Sequence, residues 1–310
     1  MDLSDRIERD LEDPADMPPG VYEAARVKGA IYALPQRISS YVQFYNKAMF
    51  AEAGLAAPPH DWYDSSWNWD ALKEAARRLT RDTSGDGVID VYAWTNNFPT
   101  RLPPFVFQAG GDYIDEGYQN FILDQEEGLN AVRFMTELHE AQALGGNFLN
   151  GTAAMWTAMP TEAKLAEENG LDWDLAPLPQ GPAGPAGKLT IIAVGIPVGT
   201  SHPEEAWTFL RYYMSKEVKA IENQGGIFPQ PRLSVTSELA NFAPYFRREH
   251  INVFLQALEL GRPYRTLHPN AQEIWNVMNN AIKSAFDLNV APEIALAEIK
   301  PTVEQLLAAR

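Results

Sequence analysis

Residues Lys188 to Val198 read KLTIIAVGIPV, an almost continuous run of apolar and β-branched side chains. Such a run predicts a strand that is buried on both faces of a sheet. Pro203 then begins a helix, because proline favours the first turn. The apolar side chains of this helix recur at helical spacing, at Ala206, Phe209, Leu210 and Tyr213. A buried strand followed by an amphipathic helix favours an α/β fold.

The same alternation continues on the N-terminal side of this stretch. GAIYALP, Gly29 to Pro35, predicts a short buried strand that ends at Pro35. DWDLAPLP, Asp172 to Pro179, predicts a strand leaving the core, and GPAGPAG, Gly181 to Gly187, predicts a flexible connector. Asn68 is predicted to be the N-cap of a helix, since its side chain can accept a hydrogen bond from a backbone N–H group. We therefore expect strands and helices in alternation rather than an all-α or all-β chain.

Helical periodicity also predicts which side chains are buried. The helix after Asn68 places apolar side chains on one face, at Ala71, Leu72, Ala75, Ala76 and Leu79. A second helix near the C-terminus does the same with Ile274, Met278, Ile282 and Ala285. Spacings of three and four residues put such side chains on one face. The last helix contains Pro301, which we expect to kink or split it.

The bulk composition excludes several classes of function. The 310 residues exceed the size at which one hydrophobic core usually keeps growing, which favours two lobes. The formal net charge of −16 repels phosphate backbones, so nucleic acid is excluded as an expected partner. The chain contains no cysteine, which rules out disulfides, thiolate metal sites and a cysteine nucleophile.

The N-terminal stretch MDLSDRIERDLEDPADMPPG, Met1 to Gly20, is acidic and polar. A signal peptide needs a basic start and an apolar stretch. No apolar run in the chain is long enough to cross a bilayer. We therefore expect neither an export signal nor direct membrane insertion in this chain.

Nine segments in a specific order resemble the family 1 extracellular solute-binding proteins of carbohydrate ABC importers. The resemblance extends over about residues 29–290, and each segment alone is a weak signal. The segments are IYALP, FYNKAMFAEAGL, SWNWDALKEAARRLT, DTSGDGVIDVYAW, FQAGGDYIDEG, NFLNGTAAMW, DLAPLPQGPAG, VGIPVGTSHPEEAWTFLRYYMS and GGIFPQPR.

This resemblance implies a periplasmic-binding-protein type II fold, with two α/β lobes, strands that cross between them and a cleft for the solute. The family's signal peptide and first strand–helix repeats would precede Met1, so we expect an N-terminally truncated chain with an incomplete first lobe. Residues 1–40 are predicted to be a remnant of the first lobe with a crossover, and residues 41–190 the second lobe. Residues 191–240 are predicted to return to the first lobe, and residues 241–310 to form helices that pack mainly on the second lobe.

The resemblance further implies a substrate-binding component of an ABC importer, which binds a sugar or oligosaccharide and delivers it to permease subunits by hinge closure. It implies no catalysis and no cofactor. The full-length protein would be periplasmic or extracellular and tethered to the membrane. Two alternatives stay open, a carbohydrate-active hydrolase and a non-functional truncated binding protein. The many carboxylates allow a glycosidase pair, although the chain has no P-loop and no G-x-S-x-G motif.

YAWTNNFPTR, Tyr92 to Arg101, has the composition of a sugar site. Aromatic faces stack on pyranose rings, and planar polar groups fork to adjacent hydroxyls. In the family this segment lines the cleft. The candidate ligand-binding residues here are Trp94, Asn96, Asn97, Phe98 and Arg101. The alternative is a surface turn with Trp94 in the core.

Further candidates come from positions that contact solute in the family. Trp156, Met159 and Thr161 follow NGTAAM, where relatives carry a ligand-facing turn, and Trp156 could equally belong to the core. The other candidates lie at the first crossover, in GGIFPQPR and in the helix after HPN: Ser39, Tyr41, Gly226, Arg232 and Trp275. A structural role is the alternative for each of them.

The loop DTSGDGVID, residues 82–90, resembles a calcium loop. Asp82, Ser84 and Asp86 occupy alternating ligand positions, and Asp90 could contribute a fourth group. The twelfth position of an EF-hand is a bidentate glutamate, and here it is Ala93. Asx-turns in a polar hairpin are therefore the favoured interpretation, and weak calcium binding is the alternative.

Overall fold

The computed structural model describes residues 1–95, 98, 100–225, 229–263 and 268–309. Strands and helices alternate over much of the chain, as predicted. In chain order they are α1 (Ser4–Asp10), α2 (Pro19–Ala24), β1 (Arg26–Val27), β2 (Ala30–Ile31), β3 (Leu34–Ser39), β4 (Val42–Asn46), α3 (Lys47–Glu52), α4 (Trp69–Leu79), β5 (Tyr92–Trp94), α5 (Leu102–Gln108), α6 (Glu126–Glu140), β6 (Ala153–Ala158), α7 (Ala163–Glu168), β7 (Trp173–Ala176), β8 (Gly187–Val194), α8 (Pro203–Tyr213), α9 (Lys216–Asn223), α10 (Leu233–Thr236), α11 (Arg248–Glu259), β9 (Gly261–Pro263), α12 (Ala271–Phe286) and α13 (Pro292–Ala308).

The larger sheet has the strand order β5-β6-β4-β7. β4 is antiparallel to both neighbours, with Phe44 opposite Trp156 on β6 and Leu175 on β7. All five residues of β4 are buried. One face of the sheet packs in a core with α4, α5, α6, α12 and α13. The other face packs in a second core that includes α11. Both faces of this sheet are therefore covered.

The smaller sheet has the order β3-β8-β9, with β3 antiparallel and β9 parallel to β8. Our prediction that a strand ends at Pro35 is wrong, because β3 begins at Leu34 and continues to Ser39. The register shifts between Pro35 and Arg37. A proline is tolerated at an edge strand or a bulge, and β3 is an edge strand of this sheet with an irregularity next to the proline.

β8 is the central strand of the smaller sheet, yet it is not buried on both faces as predicted. Leu189 is buried, whereas Ile192 is 54% exposed. Val198, which we had included in the strand, lies beyond its end and is 83% exposed. An apolar run shows that a strand can be buried, but the elements that pack on each face decide whether it is.

α8 begins at Pro203 as predicted, but it buries only part of the predicted stripe. Trp207 and Leu210 are its buried residues, and Phe209 is 65% exposed. Trp207 and Leu210 pack with Leu3 and Ile7 of the N-terminal segment. Leu210 of the predicted stripe is buried, and Ala206 and Tyr213 are half-buried. The stripe left out Trp207, which packs in the same core as Ile7 of α1.

Two short segments connect the sheets. Residues 40–41 lead from β3 to β4, and residues 177–186 lead from β7 back to β8. Ser39 at the end of β3 pairs with Thr190 on β8, so the two connections run close to each other. The chain thus passes between two separately hydrogen-bonded sheets. The four predicted domain ranges stay predictions.

Helix periodicity was the most reliable guide. The side chain of Asn68 caps α4 by accepting a hydrogen bond of 3.0 Å from the backbone N–H of Ala71, and the predicted stripe of α4 is buried except for the half-buried Ala71. The predicted stripe of α12 is buried throughout. α13 continues through Pro301 without being split. Within the described ranges, no helix has both the length and the apolarity needed to span a bilayer.

Candidate functional site

Tyr41 and Arg101 meet where the first connection passes between the sheets. Tyr41 lies between β3 and β4, and Arg101 directly precedes α5. The Nη1 group of Arg101 donates a hydrogen bond of 2.9 Å to the Tyr41 hydroxyl, and its Nε donates one of 3.0 Å to the carbonyl oxygen of Thr157 on β6. The guanidinium carbon lies 4.3 Å from the centroid of the Tyr41 ring. The structure thus brings together two predicted site residues that are 60 positions apart in sequence.

Lys188 joins this pair from the second connection. It is the second residue of β8, and its Nζ lies 5.8 Å from the centroid of the Tyr41 ring. Burial and then the positive charge of Arg101 lower the pKa of Lys188 below its ordinary value. We call Tyr41, Arg101 and Lys188 the crossover cluster. Sequence analysis missed Lys188, although a single cation at the start of an apolar strand was a signal for it.

Four other predicted site residues lie at the ends of β3 and β6 or on β6, and no described contact joins them to the crossover cluster. Ser39 is buried at the end of β3, and its hydroxyl donates a long hydrogen bond of 3.5 Å to the carbonyl oxygen of Ser40. Trp156 is partly buried on β6 and packs against Phe44 with 5.7 Å between ring centroids. Met159 and Thr161 follow β6 and are half-buried. Their contact with a solute stays a prediction.

Three predicted aromatic residues lie in or pack against the core that also contains α4, α5, α6, α12 and α13. Trp94 is 2% exposed and packs against Phe105, which corresponds to the alternative in which Trp94 belongs to the core. Phe98 stacks on Phe286 of α12, with 4.1 Å between centroids. Trp275 on α12 lies 6.1 Å from the ring of Tyr113. The described contacts of these residues are with other aromatic side chains of the protein.

Arg232 has a structural environment. Its side chain is fully buried and donates hydrogen bonds to three backbone carbonyl oxygens, those of Met214, Glu12 and Asp13. The guanidinium therefore joins the N-terminal segment to the region of α8 and α10. This corresponds to the structural alternative, although not to the solvent-exposed loop we had considered. The predicted residues Asn96, Asn97 and Gly226 lie outside the described residues.

Comparison with known proteins identifies the family. The family model for bacterial extracellular solute-binding proteins matches residues 1–220. This chain belongs to that family. A binding protein of Brucella abortus is 24% identical over 298 residues, which cover 90% of this chain and 68% of the relative.

Solved structures show the fold of this solute-binding protein. The cyclic α-maltosyl-1,6-maltose binding protein from Arthrobacter globiformis superposes with a TM-score of 0.82 at 16% identity, covering 99% of this chain and 79% of that one. The sugar-binding protein MalE from Xanthomonas citri superposes with a TM-score of 0.80 at 20% identity, with coverages of 99% and 79%. The predicted periplasmic-binding-protein type II fold is confirmed. The family and these neighbours are binding proteins, not enzymes.

A second polar cluster, which sequence analysis missed, lies on the larger sheet. Asp174 of β7 accepts hydrogen bonds from His250 Nε2 at 2.7 Å and from the Tyr45 hydroxyl at 3.2 Å, and it also contacts His60 and Arg247. Burial alone would raise the pKa of Asp174, but hydrogen bonds from His250, Leu175 N–H and His60 outweigh it and hold the pKa well below its usual range. We call this group the Asp174 cluster. Its members are far apart in sequence, so no motif could have revealed it.

The ligand atoms of His60, Asp174 and His250 lie within 4.8 Å of one another, a spacing that a metal ion could use. The hydrogen bonds indicate a different role. Nδ1 of His250 accepts a bond from the backbone N–H of Arg247, so Nε2 carries the proton that it donates to Asp174. The Arg247 guanidinium already contacts the same carboxylate. The cluster therefore binds α11 to β7 through charge-assisted hydrogen bonds.

The loop of residues 82–90 is closed by internal hydrogen bonds. The Asp82 carboxylate accepts from the backbone N–H groups of Gly85 and Gly87, and Asp90 accepts from Thr83 and from the backbone N–H of Ser84. The Asp86 carboxylate accepts a hydrogen bond from the backbone N–H of Val88, two residues later in the same loop. This is the Asx-turn pattern that we favoured. Calcium binding by Asp82, Ser84, Asp86 and Asp90 stays a prediction.

Proposed function

We propose that this chain is the substrate-binding component of an ABC importer, with a sugar or oligosaccharide as its solute. The observation that carries the proposal is the pair of connections between two sheets, with an aromatic ring and a fixed guanidinium at the crossing. Rings and planar donor groups are the usual partners of sugars. The two structural neighbours described above bind sugars, which supports this choice of solute.

The mechanism we propose is hinge closure. A solute that contacts both lobes only in the closed form shifts the population towards that form. The closed protein would then dock on permease subunits at the membrane. The protein would act in the periplasm or outside the cell, tethered to the membrane in its full-length form. No residue needs to perform chemistry in this scheme.

A thermal-shift panel of monosaccharides and oligosaccharides tests the proposal. A ligand that binds only the native state raises the melting temperature, by an amount equivalent to about 2.7 kcal/mol at one hundred times the dissociation constant. Small-angle X-ray scattering with the best ligand should show a smaller radius of gyration. Product analysis of the same mixtures provides the control, because cleavage of the sugar would favour a hydrolase. Absence of stabilisation by every sugar would contradict the proposal.

A further inference from the structure

A groove lies between α4, α6 and the second connection between the sheets, residues 177–186. Its volume is about 390 Å³, which is within the range of small-molecule binding sites. Asn130, Phe134 and Glu137 of α6 line one wall, because spacings of four and three residues place them on one face of the helix. The beginning of α4 and residues Gln180 to Pro182 of the connection line the rest. The groove is therefore separate from the crossover cluster, with which it shares no lining residue.

The bottom of the groove is aromatic and its rim is charged. Trp69 and Phe134 are buried and stack on each other, with 4.1 Å between ring centroids and an angle of 18°. The Trp69 indole N–H donates a hydrogen bond of 2.9 Å to the side-chain oxygen of Gln108, which fixes the ring. Lys73 lies over the Phe134 ring and forms an exposed ion pair with Glu137. Because an exposed ion pair contributes little free energy, this rim can rearrange around a ligand.

Two side-chain amides that line the groove have hydrogen-bonding capacity left. Asn130 is half-buried, and its side chain makes no hydrogen bond with any residue in the described ranges. Gln180 Nε2 donates a bond of 2.7 Å to the carbonyl oxygen of Trp62, whereas its Oε1 accepts none from the described residues. The Asn68 amide differs, because it caps α4 and also donates to the carbonyl oxygen of Ser65. Asn130 and Gln180 can therefore bond to hydroxyl groups of a ligand.

The charges of the groove favour a neutral ligand. Its charged lining residues are Asp70, Lys73 and Glu137. Lys73 and Glu137 pair with each other, and Asp70 lies in the first turn of α4, where the helix dipole favours a carboxylate. An anion would meet more negative than positive charge here. Aromatic rings beside planar polar groups are the usual partners of sugars, which present uncharged hydroxyl groups.

We infer that this groove is a second binding site, for a neutral monosaccharide or disaccharide. Asn130 and Gln180 bond to its hydroxyl groups, and the exposed edges of Trp69 and Phe134 contact the apolar face of a ring. Since Gln180 belongs to the second connection, a bound sugar also joins that connection to α6. This site goes beyond the proposed function, because it requires neither hinge closure nor the crossover cluster.

Nuclear magnetic resonance of the ¹⁵N-labelled full chain tests the site directly. The chain has eight tryptophans, so its indole N–H signals are few, and Trp69→Phe identifies that of Trp69. The ligands are glucose, galactose, maltose and lactose, with glucuronic acid and glucosamine as charged counterparts. We expect at least one neutral sugar to shift the Trp69 signal saturably, with a dissociation constant of about 1 mM. Absence of a shift with every neutral sugar at about 10 mM overturns the inference.

One substitution and a matched control locate the effect. Asn130→Leu removes the free amide and fills part of the groove, so it should weaken the binding by about tenfold. Asn280→Leu makes the same change at an exposed position of α12, outside the groove, and should leave the binding unchanged. Circular dichroism checks folding, and Asn130→Ser replaces Asn130→Leu if the larger side chain prevents folding. Equal affinities of the folded Asn130 variant and the unchanged protein contradict the inference.

The charged ligands test the preference for a neutral sugar. Glucuronic acid should bind more weakly than glucose, because the groove has more acidic than basic groups. Glucosamine binding about tenfold more tightly than every neutral sugar would identify a cation site and overturn the assignment.

The same variants separate this site from the proposed function. Sugars that stabilise the protein in the thermal-shift panel but leave the Trp69 signal unchanged would refute the groove and support binding at the crossing. Stabilisation that disappears in the folded Asn130 variant would support the groove and refute sugar binding at the crossing.

Discussion

The two central strands, β4 and β8, each lie between two neighbours in their sheets and differ in environment. β4 lies between two antiparallel partners and is buried along its whole length. β8 also lies between two partners, but Ile192 is 54% exposed. The larger sheet is covered by helices on both faces, whereas part of the smaller sheet is open. Pairing with neighbouring strands therefore does not ensure burial of side chains.

The two helices that follow β8 in sequence also carry exposed apolar side chains. Phe209 and Tyr212 on α8 are 65% and 56% exposed, and Ile221 on α9 is 58% exposed. The larger sheet is different, since its apolar side chains are placed in two continuous cores. The difference predicts that the same kind of substitution has unequal effects on the two sheets.

The largest expected effect comes from a core substitution in the larger sheet. Phe44→Ala should lower the free energy of unfolding by about 4 kcal/mol, because it opens a cavity in a dense aromatic core. Ile192→Ala is the matched change in the smaller sheet, and it should alter the free energy of unfolding by no more than about 0.5 kcal/mol. Urea denaturation measures both variants. Equal losses would show that the face around Ile192 is covered in solution.

The next effect concerns the Asp174 cluster. Asp174→Asn should lower the free energy of unfolding by about 3 kcal/mol, because the buried donors around it lose their charged acceptor. Asp172→Asn is the control two residues earlier, where the carboxylate is 62% exposed and contacts Lys47. An exposed ion pair contributes little, so its loss should be below about 1 kcal/mol. Similar losses in urea denaturation would refute a special role for Asp174.

Arg232 is the corresponding polar anchor beside the smaller sheet. Arg232→Met should lower the free energy of unfolding by about 2 kcal/mol. The backbone carbonyl groups of Glu12, Asp13 and Met214 would lose their buried charged donor. The N-terminal segment should then be released locally. Limited proteolysis should cut near residues 12–16 earlier than in the unchanged protein. Unaltered cleavage there would argue against this anchoring role.

The smallest effect is a dependence on pH. Burial lowers the pKa of His250 below its unfolded value, so the unfolded state binds the proton more readily as the pH falls below about 6.5. The pKa of Asp174 is also lowered by folding, so this carboxylate adds to the loss of stability below about pH 3.9. Stability should therefore decrease from pH 7 towards pH 5. Melting curves of His250→Gln should show a weaker decrease over this range, and an identical decrease would exclude His250 as its source.

The site was less predictable than the fold for a specific reason. Tyr41 and Arg101 were predicted from composition and family resemblance, and they do lie in contact. Lys188 was missed because its neighbours in sequence are strand residues, and its proximity to Tyr41 depends on how two connections pass each other. The contacts among Asp174, His60 and His250 span 114 and 76 positions.

The sequence by itself determined the alternation of strands and helices, the cap of α4 and the buried stripe of α12. These features depend on interactions within three or four residues along the chain, so local spacing is sufficient to specify them. Only the tertiary structure decided which face of β8 and α8 is buried, that Pro35 lies inside a strand, and which charged groups meet. These outcomes depend on elements distant in sequence, and the free energy of burying a side chain depends on what packs against it.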